Sequence, residues 1–147
     1  MSDKIRTKKF ILTAILAAAV VYCAVASTTP VVSASSPEKV LQELKQGNER
    51  FAAGKSIHPN ITAARIAETA KNGQHPMATV IACSDSRVPA ELIFDAGIGD
   101  IFVVRVAGNV CDTDEIGSIE YGIGHLGTPV LVVLGHTVCG AVTAVAS

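Results

Sequence analysis

Three side chains with soft donor atoms stand in the second half of this sequence at positions that could hold a metal ion. Cys83 ends the apolar run ATVIAC, His136 stands two residues after the apolar run VLVVL, and Cys139 follows three residues later. Two thiolates and one imidazole suit zinc, which prefers four tetrahedral ligands, and they argue against magnesium or calcium. Three protein ligands with a vacant fourth position are typical of a catalytic zinc site. Each residue taken alone is more often a packing or surface residue.

A carboxylate and a guanidinium follow the first cysteine closely, in the run CSDSR at 83–87. The Asp85 carboxylate can reach the metal or a water on it, and Arg87 can hold that carboxylate in a bidentate pair. Held in this way, Asp85 would leave the fourth position of the zinc open. A phosphatase or sulfurtransferase loop with a reactive cysteine is the rival interpretation. Such loops usually separate cysteine and arginine more widely, and that interpretation leaves His136 and Cys139 without a role.

The elements that must position these residues alternate between strands and helices. Apolar runs at 78–83, 101–106 and 130–134 predict three buried strands, and short helical patterns fall between them at 88–95 and 112–125. This alternation predicts an α/β fold with a parallel sheet flanked by helices. In the usual doubly wound arrangement the strand order is 2-1-3, so strands one and three end side by side at the crevice that binds ligands. Further helices are expected from 37 to the residue before Gly54, at 62–71 and from 140 onwards.

The N-terminal 26 residues differ in composition from the rest and predict a secretory signal peptide. Four basic residues within 1–9 precede an apolar segment at 10–26, which ends in the small-residue sequence Ala-Val-Ala. A retained membrane anchor is the alternative, because the apolar segment is just long enough to cross a bilayer. Residues 27–36 are rich in Ser, Thr and Pro and predict a linker, which leaves 37–147 as the domain. We therefore expect export to the periplasm or the extracellular space.

Length, charge and cysteine content limit the remaining functions. The 147 residues suffice for one domain, and its core should be aliphatic, since 49% of the residues are hydrophobic and only 4% aromatic. Without residues 1–26 the chain keeps 8 basic and 12 acidic residues, a net charge of −4, so partners such as nucleic acid or anionic membranes are not expected. The three remaining cysteines cannot all form disulfides, and metal ligation is one reason for an exported thiol to persist.

Two motifs together resemble the β-class carbonic anhydrases: CSDSR at 83–87 and HTVCG at 136–140. The resemblance extends over roughly residues 37–147, and it implies one zinc ion per subunit and reversible hydration of carbon dioxide to bicarbonate and a proton. It also implies a homodimer or a higher homo-oligomer. Family members continue well beyond the position of Cys139, so the sequence is expected to be incomplete at its C-terminus. A catalytically inert zinc-binding fragment is therefore the alternative.

The resemblance assigns roles to individual residues of this sequence. The implied zinc ligands are Cys83, His136 and Cys139. The implied catalytic dyad is Asp85 and Arg87. The residues that match the substrate pocket of the plant-like subgroup, in which the zinc site is open and the pocket lies at a dimer interface, are Gln74, Phe102 and Tyr121.

Four further residues have no role fixed by the sequence. His58, His75 and His125 are conceivable proton shuttles, although nothing in the sequence selects one of them. Cys111 is expected to be a small packing residue.

Overall fold

A computed structural model of the protein describes residues 35–146. The expected signal peptide at 1–26 and all but the last two residues of the expected linker at 27–36 lie outside the described residues, as does Ser147. Within 35–146, no helix combines the length and the apolar composition that a bilayer crossing requires.

The described part of the chain consists of three strands and five α-helices. In chain order these are α1 (Pro37–Ala52), α2 (Ala63–Asn72), β1 (Ala78–Cys83), α3 (Ala90–Ile93), β2 (Ile101–Val106), α4 (Thr113–Glu120), β3 (Leu131–Leu134) and α5 (Gly140–Ala146). A 3-10 turn at Ala107–Asn109 follows β2, and a π-helical turn at Tyr121–His125 continues α4. All strands are parallel in the order β2-β1-β3, which confirms the α/β class and the predicted strand order.

The register of the sheet determines which residues leave it at the carboxyl edge. Ala82 of β1 pairs with Leu134 of β3 on one side and with Arg105 of β2 on the other. Because the strands are parallel, the residues that follow Ala82 and Leu134 emerge side by side at one edge. The central strand β1 is buried at all six positions, so this edge has a rigid base.

The main core lies between one face of the sheet and the helices α1 and α3. Alternate residues of β1 face this side, as the period of a strand requires. They pack in one apolar cluster with α1 and α3, whose buried members include Val40, Leu44, Ala78, Val80, Ala82 and Ala90. The helix α1 begins as the sequence predicts, because the Ser36 hydroxyl accepts a hydrogen bond from the Lys39 backbone N–H and Pro37 occupies the first helical position.

Close backbone contact and polar bonds fix α1 on the turn that follows α3. Gly47 approaches this turn so closely that a Cβ atom would overlap the carbonyl oxygen of Phe94. The Asn48 side-chain amide donates to the Ile93 carbonyl at 3.1 Å. Because α1 and α3 cover the core face of β1, these contacts also hold the sheet edge in place.

The opposite face of the sheet is covered by the π-helical turn. The sequence predicts one helix over 112–125, but the α-helical pattern stops before Tyr121, and the Leu126 N–H donates to the Tyr121 carbonyl at 3.0 Å. This wider turn brings the Gly122 backbone against Thr79 of β1, where a Cβ atom would overlap the threonine hydroxyl. The change of helix type thus follows from the close approach of a glycine to the sheet.

Part of the apolar surface is left uncovered within residues 35–146. β3 is an edge strand, and its residues Leu131 and Val133 are 42% and 66% exposed on the face away from the main core. The helix α2 buries none of its residues, and its Ile66 is exposed. These surfaces are available for contact with further protein.

Gly47→Ala should lower the free energy of unfolding by about 1–3 kcal/mol or more, because the new Cβ would meet a backbone carbonyl that cannot move aside cheaply. Gly117→Ala is the matched control, since Gly117 also lies in a helix and an added Cβ there would meet no atom of residues 35–146 within 4 Å. That control should gain about 0.5–1 kcal/mol of helix stability. Denaturant titration of both full-length variants measures the difference, and equal stabilities would contradict the close approach.

The buried Asp95 carboxylate predicts how stability changes in acid. Burial, the largest influence, acts to raise the pKa of Asp95, but hydrogen bonds from Arg50 and from the backbone N–H groups of Ile57 and His58 together lower it from 3.8 to about 2. The stability that the carboxylate supplies is therefore complete above the unfolded pKa, and it is lost as the pH falls through the folded value. The difference in unfolding free energy between the wild type and Asp95→Asn should shrink from about pH 6 to pH 2. A difference that stays constant over this range would rule out the linkage.

Candidate metal centre

The carboxyl edge of the sheet brings the three predicted zinc ligands together. Cys83 ends β1, His136 is the second residue after β3, and Cys139 immediately precedes α5. Their donor atoms all lie within 4.8 Å of one another, and the two sulfur atoms are 3.9 Å apart. Two sulfurs at about 2.3 Å from a tetrahedral ion are about 3.8 Å apart, so the observed separation fits zinc.

The imidazole of His136 is oriented to bind a metal through Nε2. Its Nδ1 lies 3.0 Å from the Thr137 carbonyl oxygen. Because a carbonyl can only accept, Nδ1 carries the proton of the neutral ring and the lone pair of Nε2 is free. Nε2 is buried and has no hydrogen-bond partner within residues 35–146. A buried nitrogen without a partner is costly, and a metal ion is the ligand that these neighbours favour.

Backbone N–H groups surround the sulfur of Cys83 and favour its thiolate. Asp85 and Gly108 donate to this sulfur at 3.4 and 3.2 Å, and Gly108 does so from the 3-10 turn with a φ of 72°. The pKa of Cys83 is lowered to about 6. The largest cause is the hydrogen bond from the Asp85 N–H, and the next is the neighbouring His136 side chain. The thiolate is the form that binds metal, so these backbone N–H groups stabilise Cys83 in its metal-binding form.

Arg87 holds the carboxylate of Asp85 at the side of the metal centre. The guanidinium donates from Nε to Oδ1 at 2.9 Å and from Nη2 to Oδ2 at 2.8 Å, and the Arg87 backbone N–H also donates to Oδ1. The pKa of Asp85 lies well below its usual range, mainly because of the side-chain hydrogen bonds from Arg87. Oδ2 lies 3.9 Å from Nε2 of His136. The centre therefore has an ionised carboxylate beside it whose two oxygens both accept bonds from Arg87.

A further bond of Arg87 connects the two loops that carry the metal ligands. Its Nη2 also donates to the Val138 carbonyl at 3.0 Å, and Val138 stands between the ligands His136 and Cys139. Val138 has a φ of 54°, in the left-handed region that a β-branched residue rarely adopts. This conformation costs about 1–2 kcal/mol. The strain accompanies a backbone turn that directs the Val138 carbonyl to Arg87.

The three predicted substrate-pocket residues lie at the other end of the sheet. Gln74 precedes β1, Phe102 pairs with Thr79 near the start of β2, and Tyr121 opens the π-helical turn. The rings of Phe102 and Tyr121 are 5.8 Å apart between centroids, and Gln74 and Tyr121 line an open cleft of about 700 Å³. Thr79 and Cys83 are four residues apart on β1, a distance of about 13 Å. The structure thus groups the three pocket residues, but not with the metal ligands of the same chain.

Two of the three candidate proton shuttles line this same cleft. His75 and His125 are both at its wall, and the His125 ring stacks on Tyr121 with centroids 4.8 Å apart. His58 lies elsewhere, with its Nδ1 at 4.0 Å from the Asp95 carboxylate. The expectation that Cys111 is a packing residue is wrong, because Cys111 is exposed in the extended stretch before α4.

Sequence reasoning missed the backbone groups that support the metal centre. Gly108 and Val138 give no signal in the sequence, because their contribution is a backbone direction that depends on tertiary contacts. Arg105 was also missed, although its guanidinium bonds the carbonyl oxygens of Cys83 and Asp85. A signal was present in this case, since Arg105 is the single charged residue in the strand sequence IFVVRV.

Comparison with known proteins agrees with this geometry. A family model described as carbonic anhydrase matches residues 78–147, the part that contains the three candidate metal ligands and the Asp85–Arg87 pair. The chain is 51% identical over 110 residues to carbonic anhydrase 2 of Mycobacterium tuberculosis, and 50% identical over 113 residues to the carbonic anhydrase of Mycolicibacterium smegmatis. These matches cover 75% and 77% of this chain but 53% and 54% of the relatives. The chain thus spans about half the length of the curated relatives that it matches.

Solved structures place the fold in the same group. The β-carbonic anhydrase CcaA is similar with a TM-score of 0.51 and 34% identity, over 71% of this chain and 52% of that one. A tetrameric β-carbonic anhydrase from Sordaria macrospora has a TM-score of 0.53 and 28% identity, over 74% and 55% of the two chains. The β-carbonic anhydrase CafA of Aspergillus fumigatus has a TM-score of 0.53 and 33% identity, over 73% and 51%. With its parallel sheet and its Cys–His–Cys centre, the chain therefore belongs to the β-carbonic anhydrase family.

Proposed function

We propose that this protein catalyses the reversible hydration of carbon dioxide to bicarbonate and a proton, with one zinc ion per subunit. The observation that carries the proposal is the position of Asp85. Its Oδ2 lies 3.9 Å from the unpartnered Nε2 of His136, while Arg87 holds both carboxylate oxygens. A purely structural zinc site needs no ionised carboxylate beside it and is normally closed by a fourth protein ligand. This arrangement therefore favours a centre of the open, plant-like type.

The residues around the metal divide the chemistry between them. Zinc held by the Cys–His–Cys centre supplies a Lewis acid that lowers the pKa of water at the site. Asp85 accepts a hydrogen bond from the attacking water and so directs its lone pair towards carbon dioxide. Arg87 keeps Asp85 ionised and fixes the plane of its carboxylate through the bidentate pair. The same pair keeps the carboxylate from occupying the position that the water needs.

We further propose that the cleft of one chain serves the metal centre of another, within a homodimer or a higher homo-oligomer. Support comes from the separation of about 13 Å along β1 between the pocket residues and the ligands of the same chain. Tyr121 is also 44% exposed in the single chain. A side chain that packs against a neighbouring copy in an oligomer would be exposed in this way when one chain is considered alone. In this arrangement His75 and His125 would lie near the reaction and could carry the released proton to solvent, whereas His58 would not.

A zinc-binding domain without turnover is the alternative function. Two observations favour it: the cleft and the metal centre of one chain lie apart, and Leu131 and Val133 of β3 are exposed within residues 35–146. An enzyme that uses the Cys83 thiol directly is a third candidate, and it would remain active after zinc removal. Metal analysis together with carbon dioxide hydration separates the three.

We also propose that the protein is exported and acts in the periplasm or outside the cell. Support comes from the basic, apolar and small-residue pattern of residues 1–26, with an N-terminal membrane anchor as the alternative. The net charge of −4 after removal of that segment does not favour binding to nucleic acid or to anionic membranes.

Asp85→Ala should keep its zinc and lose turnover by about 100-fold or more, because it removes the acceptor for the attacking water but no metal ligand. Stopped-flow hydration of carbon dioxide and elemental analysis of the full-length protein measure both quantities. Cys83→Ser and His136→Ala should lose zinc as well as activity. Ser86→Ala, which removes an exposed hydroxyl from the same loop, is the matched control. Full turnover in zinc-loaded Asp85→Ala would refute the assigned role of the carboxylate.

Mixed oligomers test whether the cleft serves a neighbouring centre. Cys83→Ser removes the metal centre but keeps the cleft, and Gln74→Ala alters the cleft but keeps the metal centre. Each variant alone should be nearly inactive, whereas subunits mixed at random should recover about a quarter of wild-type activity, because half of the pairs contain one intact site. Co-expression with two affinity tags isolates the mixed species. No recovery in that species would show that each chain completes its own site.

A further inference from the structure

We propose that Arg105 is a positioning residue of the metal centre, which fixes the backbone that carries Cys83 and Asp85. The inference deepens the proposed function and rests on it for the effect on turnover. Its effect on metal binding can be measured without any assay of activity.

The guanidinium of Arg105 bridges two carbonyl groups of the loop that contains the first metal ligand. Nε donates to the Cys83 carbonyl at 3.1 Å, and Nη2 donates to the Asp85 carbonyl at 2.8 Å. The two carbonyls stand on either side of Ser84, so one rigid fork sets the direction of two peptide groups. Bonds from a charged donor are shorter and stronger than those between neutral groups.

The position of Arg105 on β2 explains why it can reach this loop. It pairs with Ala82, the last residue of β1 before Cys83, and is thus one step from the sheet edge. The rest of the strand is apolar and at least half-buried, whereas Arg105 is its one exposed residue, so its long side chain can extend from the strand to the neighbouring loop. Within residues 35–146, no carboxylate forms an ion pair with Arg105, whereas Arg50 and Arg87 each form one and Arg65 forms two. The hydrogen bonds of its charged group go to the two loop carbonyls.

Fixing these carbonyls also fixes the functional side chains. The Ser84 N–H donates to the Val106 carbonyl at 3.0 Å, and the Val88 N–H donates to the Asp85 carbonyl at 3.1 Å, so the loop is held at each end. The bonds from Arg105 set the orientation of the Cys83 and Asp85 peptide groups between these two ends. Rotation of either held peptide group would displace the Ser84–Asp85 peptide group between them, which would move the Asp85 N–H from the Cys83 sulfur and turn the carboxylate from its place beside His136. Groups that orient metal ligands typically change metal affinity or activity by about 10–100-fold when they are removed.

The test compares Arg105→Met with a matched arginine that makes the same kind of bond elsewhere. Arg65 donates from Nε to the Ile98 carbonyl at 3.0 Å, but the turn that contains Ile98 carries no metal ligand. Arg65→Met therefore reports the cost of losing an arginine bond to a loop carbonyl, together with the ion pairs of Arg65 to Glu68 and Asp100, at a place that carries no metal ligand. Arg105→Lys keeps the charge but cannot bridge two carbonyls with a planar fork. Full-length variants are compared by chelator competition for zinc, by the absorption spectrum of the cobalt(II)-substituted protein, and by thermal denaturation.

Arg105→Met should weaken zinc binding by about 10–100-fold and change the cobalt(II) spectrum, which reports the geometry of the thiolate ligands. Turnover should fall through kcat more than through KM. Arg105→Lys should bind zinc with an intermediate affinity. Arg65→Met should lower the melting temperature and leave zinc affinity and the cobalt(II) spectrum as in the wild type.

A purely structural role for Arg105 would give a different pattern. Arg105→Met would then lose thermal stability as Arg65→Met does, with wild-type zinc affinity and an unchanged cobalt(II) spectrum, and the proposal would be overturned. Should Arg105→Met fail to fold, Arg105→Lys decides, because wild-type affinity and spectrum in that variant would equally overturn the requirement for the fork. If the zinc-loaded wild type hydrates no carbon dioxide, the proposed function fails while these metal-binding comparisons remain valid.

Discussion

The parallel pairing of β1 with β3 is the constraint on which the metal centre depends. The register sets Ala82 beside Leu134, so Cys83 and the turn that contains His136 emerge at the same edge although 53 residues separate the two ligands. No local interaction could hold a thiolate and an imidazole at that sequence separation. The burial of β1 on both faces supplies the rigidity, because a strand packed at every position cannot shift its register without exposing its core residues.

Much of this arrangement could be predicted from the sequence, because it depends on patterns that are local. Apolar runs mark the strands, their alternation with helices implies parallel pairing, and parallel pairing sends Cys83 and His136 to one edge. Two features could not be found in this way. The support from Gly108 and Val138 arises from backbone directions, and the π-helical turn at Tyr121 arises from the close approach of the next residue to β1. Both depend on contacts between distant segments, which periodicity does not encode.

The separation of the cleft from the metal centre also follows from the sheet. Phe102 and Cys83 occupy opposite ends of two neighbouring strands, and their distance is fixed by the rise of the strands. No change of side-chain rotamer can close a gap of about 13 Å. The residues that the sequence predicts for one site are therefore divided between the two ends of the sheet. Association of copies can unite them, and Leu131 and Val133, which are exposed within residues 35–146, offer an apolar surface on which further protein can pack.

Arg87 and Arg105, the two arginines at the carboxyl edge, hold different parts of the metal centre in place. A metal centre made from two loops needs its ligands fixed with respect to each other and also with respect to the sheet. Arg87 joins the loops, since its guanidinium bonds both Asp85 and the strained Val138 carbonyl. Arg105 joins the first loop to β2. The cost of about 1–2 kcal/mol for the Val138 backbone is tolerable because the charged bond to its carbonyl opposes relaxation of the turn. Strain of this kind persists where surrounding contacts hold the backbone in place, and here those contacts are the ones that also orient the Asp85 carboxylate.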